Sequence, residues 1–257
     1  VRIERVLANN PGPFTGPGTN TWILDDGEGR VVVIDPGPID RRHATAIHER
    51  VGRRQVEAIL VTHTHSDHAP LANPMARDVG VPAVGHAAGP GFDPDVRLLD
   101  GARFDVGSLV LEVVHTPGHA DDHLCFLTEK VMFSGDHIIG GSSVMVDDLG
   151  RYLDSLEKVR GRGLSRIHPG HGEEIDDPDV VIDWYIAHRR QRHEEIFTAI
   201  AAGASTVDEI VETVYVDVDS ALYPLAARSV EAHLGLLTSE GRIALLDGRV
   251  TVAPQDT

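Results

Sequence analysis

The densest chemistry in the chain lies in Thr62-His63-Thr64-His65-Ser66-Asp67-His68, where His63 to His68 holds three imidazoles and a carboxylate. Neutral imidazole nitrogen and carboxylate oxygen are donors favoured by zinc and similar ions. In an extended turn side chains alternate, so His63 and His65 point the same way and can grip one ion. Asp67 and His68 lie past the bend and can reach a second. Four donors at HxHxDH spacing after an apolar run is a pattern a chance histidine-rich surface loop rarely makes. His119, in Thr116-Pro117-Gly118-His119, and His171, in His168-Pro169-Gly170-His171-Gly172, each follow a Pro-Gly turn that fixes a side chain at a strand end. Asp136 follows Gly135 after the apolar stretch Val131–Phe133. Taken singly, such residues are ordinary turn or capping residues; their joint appearance gives them weight.

These donors need a scaffold. Ala58–Thr62 is a short apolar run with β-branched residues, a buried strand that feeds into His63. Strands are also expected near the N-terminus, at Thr21–Leu24, Val31–Ile34, Leu109–Val114, Leu124–Leu127 and Val131–Phe133, and near Arg166–His168. Asp25-Asp26-Gly27-Glu28-Gly29 marks a hairpin, and Asp35-Pro36-Gly37-Pro38 closes the strand after it. Helical patterns cover Ile39–Val51, Pro70–Gly80 and Gly150–Val159. Strands alternating with helices, with hairpins among them, predict a mixed α/β fold. From Pro178 the texture becomes helical: a long helix to about Ala202, then Thr206–Val214 and Ala221–Glu240. A hairpin over Arg242–Val252, turning at Asp247-Gly248, ends the chain. The expected division is a catalytic domain over residues 1–177 and a helical, winged-helix-like domain over 178–257.

The chain has 257 residues, enough for a sizeable core, and a formal net charge of −17. So acidic a chain repels polyanions at long range and lacks the basic face of a sequence-independent nucleic-acid binder. Its single cysteine, Cys125, allows no internal disulfide and fits a reducing, cytoplasmic setting. No apolar run is long enough to span a membrane.

The motifs together resemble the metallo-β-lactamase superfamily: HxHxDH at 63–68, TPGH at 116–119, SGD at 134–136 and PGHG at 169–172. The resemblance covers roughly residues 1 to 175 and implies a four-layer αββα sandwich with a dinuclear zinc hydrolase site; manganese or iron would also suit the donors. It implies that His63, His65 and His119 bind one ion, that Asp67, His68 and His171 bind the other, and that Asp136 bridges them. A metal-bridging hydroxide would then cleave an ester-type bond, with Asp67 orienting it as well as ligating. His123 is expected behind the ligands. His137 and Cys125 are expected to be structural, and His43, His48, His86, His115, His188, His193 and His233 to have no part in the site.

Asp136 where secreted zinc β-lactamases usually carry a cysteine, with His68 after Asp67, is similar to the glyoxalase-II-like and ribonuclease-like members. Asn10-Pro11-Gly12-Pro13-Phe14-Thr15, Gly18-Thr19-Asn20-Thr21 and the tail motif Glu231-Ala232-His233-Leu234 resemble the β-lactamase-like protein 2 subgroup, which has a winged-helix tail. That subgroup implies cleavage of single-stranded RNA; a small thioester or lactam is the alternative, and a non-catalytic metal- or DNA-binding regulator the reading from another class. Residues 188–257 hold six Arg, no Lys and eleven acidic residues. The helix near Ala226–Glu240 carries Arg228 but also Glu231 and Glu240, so specific DNA binding is not expected and packing or channel-shaping is. The loops Gly85–Asp95 and Gly140–Asp148 are expected to set specificity, and base rates favour a homodimer.

Overall fold

A computed structural model describes residues 1–246 and 248–254. Two mixed sheets face each other. The first has six strands in sequential order: β1 (Arg2–Leu7), β2 (Asn20–Asp25), β3 (Arg30–Ile34), β4 (Gln55–Leu60), β5 (Ala83–Gly85) and β6 (Val96–Arg97). The second runs β11 (Arg166–Pro169), β10 (Val131–Gly135), β9 (Leu124–Thr128), β8 (Leu109–His115) and β7 (Arg103–Val106). Helices α1 (Arg41–Val51) and α2 (Ala72–Val79) cover the first sheet, while α3 (Leu149–Val159) and the start of α4 (Pro178–Ala201) cover the second.

The period of two explains the layering. Along β3, Val31 and Val33 pack under α1 with Ile47, whereas Val32 and Ile34 face Leu111, Phe126 and Phe133 of the opposite sheet. A strand covered on both sides is apolar throughout, which is why β3 lacks alternation. Behind the second sheet, Cys125, Leu127 and Met132 meet Tyr152, Leu156 and Tyr185. The sandwich is therefore four layers, helix, sheet, sheet, helix.

The C-terminal residues form a further core. Ile196 and Ile200 of α4, Ile210 and Val211 of α5 (Val207–Val214) and Val230, Leu234 and Leu237 of α6 (Tyr223–Ser239) are buried together. Strands β12 (Ile243–Leu246) and β13 (Arg249–Val252) close it with Ile243 and Val250. Thr206 and Glu209 form a reciprocal capping box at the start of α5. Helix α4 belongs to both cores, since Ile182, Tyr185 and Ile186 pack behind the second sheet and Ile196 and Ile200 in the tail.

The expected strands and helices are present, with differences at their edges. The ladder of β4 ends at Leu60, two residues before the expected Thr62: Val61 N–H still donates to Val84 O of β5 at 2.9 Å, but Thr62 N–H turns to the side chain of Asp35, donating to Oδ1 at 2.8 Å. The segment Ala221–Glu240 divides into a 3₁₀ turn at Ser220–Leu222, capped by Asp219, and α6. Strands β5, β6 and β7 were not expected; each has only two to four residues. Asp247, at the expected hairpin turn, lies outside the described residues. Among the described residues, no helix is long and apolar enough to cross a membrane.

Candidate metal centre

The C-terminal ends of β3, β4, β8, β10 and β11 deliver their following residues to one edge of the sandwich. His63, His65, His119 and Asp136 offer donor atoms within 4.8 Å of one another, and so do Asp67, His68 and His171. All seven residues expected as ligands therefore meet. Asp136 faces both groups: Oδ2 lies 3.5 Å from His119 Nε2, and Oδ1 lies 3.4 Å from His68 Nε2 and 3.3 Å from His171 Nε2.

The backs of the imidazoles are held. His63 Nδ1 meets Thr62 Oγ1 at 3.0 Å, His68 Nδ1 meets Asp35 Oδ2 at 2.9 Å, His119 Nδ1 meets Met145 O at 2.7 Å and His171 Nδ1 meets Gly18 O at 3.2 Å. Carbonyl and carboxylate partners require a protonated Nδ1, which leaves Nε2 of His68, His119 and His171 as a lone-pair donor aimed inward. His65 is the exception, since its Nδ1 lies 3.0 Å from both His63 Nε2 and His119 Nε2.

Donor atoms on a tetrahedral zinc, at roughly 2.0–2.1 Å from the ion, stand roughly 3.3 Å apart. The facing nitrogens and oxygens here are 3.0–3.5 Å apart. Asp136 Oδ1 is buried without a hydrogen-bond partner although two imidazoles flank it. Imidazole and carboxylate donors converging at this spacing in two adjoining groups are what metal ions bind, so the residues fit a pair of metal ions.

The protonation tendencies separate the two groups. Burial, reinforced by neighbouring imidazoles, pushes His63 and His65 below the usual histidine range, so both are neutral donors. Burial acts against charge on His171 too, but Asp136 and Asp67 overcome it and raise its pKa to about 9. His68 is likewise raised, by Asp136 and Asp35 against burial. Burial favours the neutral acid at Asp67 and Asp136, yet contacts with His68 and His171 hold both far down as carboxylates. The carboxylates thus pair with His68 and His171, whereas His63 and His65 stay neutral.

Close packing shapes the floor. A Cβ on Gly170 would lie 2.6 Å from Asp136 Oδ1 and 2.7 Å from His68 Cε1, so only glycine lets that turn pass beneath the donors. His123 lies behind Asp136: its Nε2 accepts the Asp136 amide at 3.1 Å, and its Nδ1 meets Thr116 Oγ1 at 2.9 Å. His137 packs edge-on against Tyr152, away from the donors.

Asp35 was missed, because Asp-Pro-Gly-Pro reads as a strand-closing turn. It accepts from Thr62 N and Thr62 Oγ1 as well as pairing with His68. The available signal was a carboxylate at the end of a buried strand next to the one that feeds His63. Of the two expected specificity loops, Gly140–Asp148 borders the cleft through Ser142, Met145 and Asp147. Gly85–Asp95 does not border it; Gly89 packs against Thr64, beneath the rim.

Residues 14–171 match the Metallo-beta-lactamase superfamily, and residues 206–249 match the Beta-lactamase associated winged helix domain. The chain belongs to the metallo-β-lactamase superfamily and is a metal-dependent hydrolase of that kind. Within the superfamily it is 32% identical to the Beta-lactamase-like protein 2 homolog of Drosophila melanogaster, over 94% of this chain and 89% of that one. It is 30% identical to an Atrochrysone carboxyl ACP thioesterase of Passalora fulva, over 83% of this chain and 68% of that one. The fold matches that of a metallo-beta-lactamase family protein from Thermus thermophilus, with a TM-score of 0.81 and 22% identity, covering 97% of this chain and 98% of that one.

Proposed function

We propose that this protein is a dinuclear metal hydrolase, with zinc as the expected ion, that cleaves small acyl thioesters. His63, His65 and His119 would hold one ion and Asp67, His68 and His171 the other, with Asp136 facing both groups. Bound ions supply a water of lowered pKa and polarise the scissile carbonyl. The chain's own part is to fix that geometry. Asp67, ion-paired with His171 at 3.2 Å and with Thr19 Oγ1 3.3 Å from its Oδ2, presents a carboxylate to orient the attacking water. Water adds to the carbonyl carbon, the C–S bond breaks, and a carboxylic acid and a thiol leave.

The observation that carries this reading is the lining of the cleft. Apart from the donors, its 270 Å³ main lobe is bordered by Phe14, Ser66, Met145, Asp147 and Arg228. None of these is a good proton donor near neutral pH. An alkoxide leaving group needs an acid; a thiolate, whose conjugate thiol has a pKa of about 8.5, leaves without one. The relatives named as thioesterases agree with this choice. Single-stranded RNA, the other substrate expected of the subgroup, needs a cationic path along its backbone, and this lobe offers one arginine on a chain of net charge −17.

The test is thiol release from pentanoyl-N-acetylcysteamine by metal-loaded protein, with fluorogenic single-stranded RNA in parallel and Asp67→Ala as the control for contaminants. Thioester cleavage by the unaltered protein alone supports the reading. RNA cleavage without thioester cleavage overturns it.

A further inference from the structure

The cleft has two lobes that share Phe14, His119, Asp136 and Met145. The second, of 150 Å³, is bordered mainly by apolar groups, among them Pro13, Ile139, Val144 and Leu225. The main lobe carries Arg228, the one lysine or arginine among the described residues that border either lobe. Leu225 and Arg228 both belong to α6, in the C-terminal part of the chain. Their i, i+3 spacing puts them on one helix face. Ala226, Val230, Leu234 and Leu237 of the same helix are buried in its own core. The helix thus packs with one face and lends the other to the catalytic cleft.

Arg228 is placed but not consumed. Its Nη2 donates to Asp147 Oδ1 at 3.1 Å, and both side chains are more than half exposed. Asp147 is itself held by its amide, which donates to Gly118 O at 2.8 Å beside the His119 turn. An exposed pair of this kind is weak, and a guanidinium has five N–H donors, of which Asp147 engages one. Asp67, Asp136 and Asp147 border the same lobe, so among the described residues that border it the arginine is the one guanidinium or ammonium group offered to an incoming anion.

We propose that Arg228 is a specificity-determining residue that receives an oxyanion group of the substrate, while the apolar lobe with Leu225 takes a hydrocarbon portion. The ligand class is an acyl thioester with one apolar arm and one anionic arm, the anion being a carboxylate on the acyl side or a phosphate on the thiol side. Bidentate recognition of either is what arginine does better than lysine. This inference rests on the thioester reading, and binding measurements separate the two.

Two pairs of thioesters distinguish the sources. Glutaryl- against pentanoyl-N-acetylcysteamine varies the acyl-side carboxylate; pentanoyl-phosphopantetheine against pentanoyl-pantetheine varies the thiol-side phosphate. In one pair the unaltered protein is expected to favour the anionic member in kcat/KM, mainly through KM. Arg228→Ala is expected to reduce that preference by about 10- to 100-fold, and Arg228→Lys to restore part of it. The same proteins are titrated with glutarate and with phosphopantetheine, followed by ligand-observed NMR, so that the result does not depend on turnover. Loss of binding of one anion in Arg228→Ala supports the proposal even if no thioester is cleaved, in which case the thioester reading alone falls. Equal binding of both anions by the unaltered protein and Arg228→Ala, or a preference that survives the substitution, overturns it.

Discussion

Asp35 Oδ2 stands 2.9 Å from His68 Nδ1 and accepts the Thr62 hydroxyl at 2.7 Å, so one buried carboxylate fixes both a ligand and the turn that leads to His63. Partners of this kind typically matter 10- to 100-fold in metal affinity. Asp35→Asn retains the shape but has one acceptor oxygen, so it cannot accept from the Thr62 amide on one side and from the Thr62 hydroxyl and His68 on the other. It is expected to weaken binding of the ion proposed at Asp67, His68 and His171 by about that factor, read by chelator competition. Unchanged affinity for both ions would show that Asp35 serves folding alone.

Gly170→Ala tests the floor of the site. The added methyl would meet Asp136 Oδ1 at 2.6 Å, closer than any real Cβ contact allows. The variant is expected to fold, since the crowding is confined to the donor edge, but to bind fewer than two ions by elemental analysis and to lose activity with them. Full occupancy with normal turnover would contradict the geometry described above.

A pH effect is expected from the C-terminal core. Burial, with Arg189 and His193 nearby, pushes His233 down to about 3. His233 Nδ1 lies 3.3 Å from His193 Nδ1, and His193 Nε2 lies 3.0 Å from Glu240. A histidine with a depressed folded pKa takes up its proton in the unfolded chain first. Its contribution is therefore complete above pH about 6.5 and is lost as pH falls toward 3, by up to about 1.4 kcal/mol per pH unit. Urea denaturation of His233→Gln and the unaltered protein from pH 7 to pH 4.5 should show a shallower decline in the variant. Parallel curves would mean that His233 is protonated in the fold.

Cys125 is fully buried, and burial raises its thiol to about 12. It should stay silent toward a thiol reagent such as Ellman's in the folded protein and react stoichiometrically in denaturant. Rapid labelling of native protein would show that the core around Tyr152 opens readily.

What the sequence showed follows from the strength of each local signal. Strand β3 and the run Ala58–Thr62 are apolar stretches rich in β-branched residues, and the seven residues expected as donors fall in four short motifs, so their clustering was legible. Strands β5, β6 and β7 escaped notice because two to four residues carry no period; tertiary pairing alone makes them strands. Asp35 was hidden for another reason. Its function depends on β3 lying beside β4 in register, Ile34 opposite Leu60, and that adjacency is not written in the turn that contains it. Helix α6 was expected to pack or shape a channel, but only packing reveals that Leu225 and Arg228 are the side chains that reach the cleft.

Helix α4 has a consequence for how such a chain can change over time. Its first half completes the packing behind the second sheet with Ile182, Tyr185 and Ile186, and its second half anchors the tail with Ile196 and Ile200. A chain cut before Pro178 would bare the groove that Tyr185 fills, and a tail grafted elsewhere would carry half a helix with nothing to rest on. The terminal segment is consequently not a cassette that recombination could exchange intact; variation there has to proceed by substitution, residue by residue, with both halves of the molecule constraining each step.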